Sequence, residues 1–108
     1  MSELDDLKSM SWPENPYLPM PPPRTATVYR TQARDLKPDI EKHNYAAGDE
    51  PQFQLAAFPD GKVAQRWLTA SRSCVWWDSL DDLYAVHIYA HPDYGTKVVW
   101  SDGEVEEL

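Results

Sequence analysis

The tripeptide Pro59-Asp60-Gly61 limits what this chain can fold into more than any other feature. Proline pre-sets φ at the first central position of a turn, and glycine accepts the left-handed conformation. Apolar segments flank the tripeptide on both sides, so the stretch from Gln52 to Thr69 reads as a β-hairpin. A three-residue loop pairs Phe58 with Lys62, Ala57 with Val63, Leu55 with Gln65 and Phe53 with Trp67. That register collects Phe53, Leu55, Ala57, Val63 and Trp67 on one face. Gln52, Gln54, Lys62 and Arg66 fall on the other. A slip of one residue would mix the two sets, so the apolar face fixes the register.

The rest of the chain divides around this hairpin. Residues 1–23 hold six of the ten prolines and form an arm. Proline lacks a donor and fixes φ, so the arm is neither helix nor interior strand, and extended polyproline-like chain is expected. The spacing of Pro13, Pro16 and Pro19 resembles a groove-docking ligand, but a tether, or an arm packed on its own domain through Trp12, Tyr17 and Leu18, is the plainer reading. Residues 24–108 form a single domain. Arg24 to Thr31 is rich in β-branched residues and reads as a strand. Asp35 to Tyr45 reads as a short helix with Pro38 in its first turn and Leu36, Ile40 and His43 on one face. Cys74 to Trp77 is a further strand.

Leu83 to Ala90 admits two readings. Ser79 would cap a helix in which Leu80, Leu83, Tyr84, His87 and Ile88 recur at helical spacing. The Tyr-Val-Ile-Tyr composition favours a strand instead. That strand would pair Ile88 with Val98 and Val86 with Trp100 across the turn at His91 to Gly95. The strand is the preferred reading. Asp102-Gly103 then marks a last hairpin, whose acidic edge strand discourages edge-to-edge pairing. The expected fold is α+β: an antiparallel, largely meandering sheet of five or six strands, one short helix near residues 35–45, and the N-terminal arm. Its buried faces carry Phe53, Trp67, Val86, Ile88, Val98 and Trp100.

Charge restricts the partners. The chain has 18 acids against 10 bases, for a net charge of −8. An acid surplus argues against contacts to nucleic-acid phosphates or to an anionic membrane surface. The surplus is concentrated after Ser71, where eight acids face two bases. Solubility is the plainer reading of it, and a negative patch that steers toward a basic partner is the sharper one. A lone cysteine, no signal-like start and no long apolar run point to a cytoplasmic protein.

No motif specifies a chemistry. His87, His91 and Asp93 have the look of a metal or hydrolytic set. The two histidines share one site only on a helix, because four residues of strand separate them by about 13 Å. Cys74, between Ser73, Val75 and two tryptophans, reads as a buried, inert thiol. The four glycines sit at turns, so no phosphate-cradling loop is present, and no cofactor is expected. The Trp76-Trp77 pair is more informative. Adjacent strand residues point to opposite faces, so one tryptophan is left without a place in the core.

An outward tryptophan near Asp78, Asp81 and Asp82 makes an aromatic patch rimmed by acids, and Tyr94 is included in it. The expected function is therefore that of a non-enzymatic accessory or inhibitor protein. It binds and modulates a protein partner, of basic character, through Trp76, Trp77, Asp78, Asp81, Asp82 and Tyr94. The alternatives are a small enzyme using His87, His91 and Asp93, a structural subunit of a larger assembly, and a nucleic-acid mimic. Short, acidic, tryptophan-rich and poor in motifs, the chain has a composition found in many small accessory proteins of bacteria and their viruses.

Overall fold

The structure is a computed structural model that describes residues 9–108. The part of the arm before Ser9 lies outside the described residues. From Ser9 to Pro23 the arm contains turns and no strand or helix.

Six antiparallel strands form one sheet. They are β1 (Arg24–Arg30), β2 (Pro51–Ala57), β3 (Val63–Trp67), β4 (Cys74–Trp77), β5 (Thr96–Trp100) and β6 (Val105–Glu107). Their order across the sheet is β4-β3-β2-β1-β5-β6, so the first four strands meander and the last two lie beyond β1. The β2–β3 hairpin has the expected register, with Phe53 opposite Trp67, Leu55 opposite Gln65 and Ala57 opposite Val63. Gly61 has φ of 97°, a conformation that other residues rarely take. Asp60 steadies the loop by accepting from the Lys62 N–H.

One position departs from simple alternation. The β1–β2 register shifts between Val28 and Tyr29, so Val28 faces Phe53 while Tyr29 faces Pro51. The extra residue in β2 is Gln52. A bulge lets two consecutive side chains turn inward, and Gln52 and Phe53 are both fully buried. Gln52 therefore leaves the polar face on which alternation would place it.

Residues 80–90 form the main correction. Leu80–Tyr84 is an α-helix, α1, that continues as a π-helical turn over Ala85–Tyr89. Ser79 caps it, accepting from the Asp82 N–H at 3.1 Å. The strand pairings of Ile88 with Val98 and Val86 with Trp100 do not form. Both sides of β5 are already taken, by β1 on one side and β6 on the other. The chain must also return from β4 at one edge to β5 past β1. A helix laid across the sheet makes that crossing and covers the apolar face at once. Leu83, Tyr84 and Ile88 are buried against Val28, Phe53, Leu55, Val63, Val98 and Trp100, whereas Val86 points to solvent. Full burial of an aliphatic side chain contributes about 1.5–3 kcal/mol, so this stripe outweighs the strand preference of Tyr, Val and Ile.

The helix expected over 35–45 is reduced to two 3-10 segments, Arg34–Leu36 and Asp39–Asn44. Lys37 before Pro38 is extended, with φ of −104° and ψ of 148°, as steric contact with the proline ring demands. Leu36 and Ile40 are exposed, so no apolar face forms there. The second hairpin, at Asp102-Gly103, is present, and Arg24 pairs with both Asp102 and Glu104 while lying over the Trp100 ring.

Candidate partner-binding site

The helix protects only one face of the sheet. Among the described residues the other face is open, and mostly small side chains line it, Thr25 and Thr27 of β1, Ala56 of β2, Ala64 of β3, Cys74 of β4 and Val99 of β5, with Gln54 and Arg66 beside them. Together they floor a shallow trough of about 530 Å³. Alternation produces it directly, because each of these residues sits beside one that faces the core. Cys74 belongs to this open face and is exposed, contrary to the expectation of a buried thiol. Arg66 lies beside it, with Nη1 3.5 Å from the sulfur.

Trp76 and Trp77 separate as strand geometry requires. Trp77 turns to the core, where its Nε1–H donates to Gln65 Oε1 at 2.8 Å. Trp76 stands on the open face with 66% of its surface exposed. The Phe58 ring supports it at 5.7 Å.

The backbone of β4 adds to this. Among the described residues nothing pairs with its far side. Hydrogen-bonded and non-bonded pairs alternate along an antiparallel ladder. The Trp67 N–H donates to the Ser73 carbonyl, so Val75 and Trp77 also direct their backbone groups toward β3. Cys74 and Trp76 therefore present theirs to the free edge. The opposite edge, β6, is guarded by Glu106 and Glu107, and Tyr84 donates to Glu106. The β4 edge, Cys74-Val75-Trp76, carries no charge and no proline.

Three acids follow β4 closely. Asp78 is exposed and paired with Lys62 at 2.8 Å, an interaction that lowers its pKa. Asp81 and Asp82 are exposed in the first turn of α1, and neither forms an ion pair among the described residues. Four of the six expected surface residues, Trp76, Asp78, Asp81 and Asp82, are thus exposed on or beside β4, while Trp77 packs against the core. Tyr94 lies elsewhere: it is 4% exposed, stacked on His91 at 4.4 Å and edge-on to Tyr45. It sits in the turn before β5 and contributes to packing.

His87, His91 and Asp93 do not converge. On α1 the His87 ring is directed at the sheet, edge-on to Trp67 at 5.0 Å and Trp77 at 5.3 Å. Burial first, then the positive charge of Arg30 and the proximity of His91, lower its pKa to about 4. Asp93 is exposed. Among the described residues no cluster of three or more His, Cys, Asp or Glu is placed to hold a metal ion.

No helix among the described residues is long and apolar enough to cross a membrane. Nothing among curated proteins or solved structures matches the chain. Residues 54–105, just under half of the chain, match the family model described as Acb5 phage protein, and the matched stretch runs from within β2 through β4 and α1 to the start of β6.

Proposed function

We propose that this chain is a small phage accessory protein that acts by binding, and that it takes an extended segment of a basic protein partner onto the free edge of β4. The exposed Trp76, on an uncharged edge strand whose far side has no partner among the described residues, carries this reading. A partner strand would accept from and donate to the outward backbone groups of Cys74 and Trp76, while its alternate side chains enter the trough beside them. Trp76 is the anchor, since aromatic residues dominate interface energetics. Asp81 and Asp82, with the acid surplus of the last third of the chain, favour Lys and Arg flanking the incoming segment. Similarity to a phage family supports the accessory role.

The test is capture of a partner from the phage's host, followed by affinity measurements with three variants. Trp76→Ala removes the anchor and is expected to cost about 2 kcal/mol or more, roughly 30-fold in Kd. Cys74→Pro removes an outward N–H without touching the β3 ladder, and is expected to weaken binding while Cys74→Ala does not. Unchanged affinity in both Trp76→Ala and Cys74→Pro would rule out the edge as the docking site. Concentration-dependent pairing of the purified chain through β4 would replace the foreign partner with a second copy.

A further inference from the structure

A second cavity lies beside Arg30, and no acid lines it. Arg30, the last residue of β1, is 5% exposed. Its Nη2 donates to the His87 carbonyl at 3.0 Å, near the end of the helix, where backbone carbonyls lack helical partners. Its Nε has no hydrogen-bond partner, and among the described residues no carboxylate pairs with the guanidinium. Three aromatic rings surround it, with Tyr94 at 5.0 Å, Trp67 at 5.4 Å and Phe53 at 5.7 Å. Rings and one carbonyl offset part of the cost of burying the charge, but a cation taken out of water ordinarily finds an anion. In a chain with 18 acids and 10 bases, an unpaired buried arginine needs a specific reason.

The cavity beside it provides one. A pocket of about 270 Å³ is lined by Arg30, Asn44, Tyr45, Trp67, Ser71 and Ser73, together with Gln52 and Thr69. No acid lines it. Two of its walls are held in place by Gln52. Its Oε1 accepts from the Ala46 N–H at 2.8 Å, and its Nε2 donates to the Asn44 carbonyl and to Thr69 Oγ1, each at 3.1 Å. The β2 bulge that turns Gln52 inward thus fixes both the 44–46 segment and the loop after β3. Ser71 and Ser73 are exposed on that loop and supply hydroxyl donors at the mouth. Lys37 does not line the pocket; it lies behind it, 5.1 Å from the Tyr45 ring, and has no carboxylate partner among the described residues.

We infer that this pocket binds a small oxyanion, the phosphate or carboxylate group of a ligand. Arg30 supplies the charge, Ser71 and Ser73 the neutral donors, and the Trp67 ring one wall. Guanidinium is suited to this role because it offers several donors to one oxyanion in a fixed plane. Half of the pocket's lining, Arg30, Asn44, Tyr45 and Gln52, lies outside the 54–105 match, and the pocket does not depend on the β4 edge.

The experiment is titration of the full chain with inorganic phosphate and, separately, with acetate, at constant ionic strength set by chloride. The readouts are the Arg30 Nε–H and Trp67 indole N–H resonances in proton–nitrogen correlation spectra. Saturable shifts of both are expected with at least one anion, and the tighter binder distinguishes phosphate from carboxylate as the ligand group. The double variant Ser71→Ala/Ser73→Ala leaves Arg30 in place and is expected to weaken that binding about tenfold. Arg30→Gln, where it folds, abolishes it. No saturable shift with either anion, or a double serine variant that binds as tightly as the native chain, would overturn the inference.

Discussion

His87 shows how one residue links packing to solution behaviour. Its ring is wedged against Trp67 and Trp77, with Arg30 nearby, and its pKa falls from 6.5 to about 4. The unfolded chain therefore binds a proton at this residue that the folded chain refuses. Stability from this source is intact above about pH 6.5 and is lost as pH falls toward 4. His87→Phe keeps an aromatic ring there and removes the proton. Urea denaturation at pH 7 and pH 4.5 should show a smaller acid-induced loss in the variant than in the native chain. Equal losses would mean that His87 is protonated in the fold. Trp76 makes the opposite case at the same scale. Its exposure costs the fold hydrophobic burial, and the neighbouring Trp77 shows that the core had already taken its tryptophan from this strand.

At the scale of elements, α1 owes its form to both ends of the argument. The Ser79 cap and the acids at its start are local, while the demand for a cover over the sheet is not. Ser79→Ala removes the acceptor for the Asp82 N–H and should lower stability by about 1 kcal/mol, measurable by chemical denaturation. A neutral result would show that packing alone holds the helix start. The β2–β3 hairpin could be read from the chain because turn chemistry and alternation are both local, and Phe53 to Trp67 pair as the loop length dictates. The helix was half legible. Its cap and spacing were visible, but Tyr, Val and Ile are strand formers, and only the occupied edges of β5 decide against a strand. The 3-10 segments near Pro38 show the converse, since helical spacing of Leu36 and Ile40 means little when no surface exists to receive them. Strict alternation places Gln52 on the polar face, because a bulge is invisible to it. The Arg30 pocket draws on β1, the 44–45 segment, β2, β3 and the loop after it, and no short stretch of chain announces such a meeting.

As a whole, the molecule is an asymmetric sheet. Among the described residues one face is covered by α1 and the other is an open trough. One edge is guarded by glutamates, and the other, among the described residues, is bare and uncharged. The class of fold and the outward tryptophan followed from the sequence, as did the acids beside it. The open trough did not, although asking what lies opposite Ala26, Leu55 and Val63 would have exposed the run of small residues. The central claim is that the bare edge is where this protein meets its partner. Amide hydrogen exchange on the captured complex tests it most directly. Protection of the Cys74 and Trp76 amides on binding, with those of β6 unchanged, is the predicted result. Protection confined to α1 or β6, with Cys74 and Trp76 exchanging as in the free chain, would contradict it.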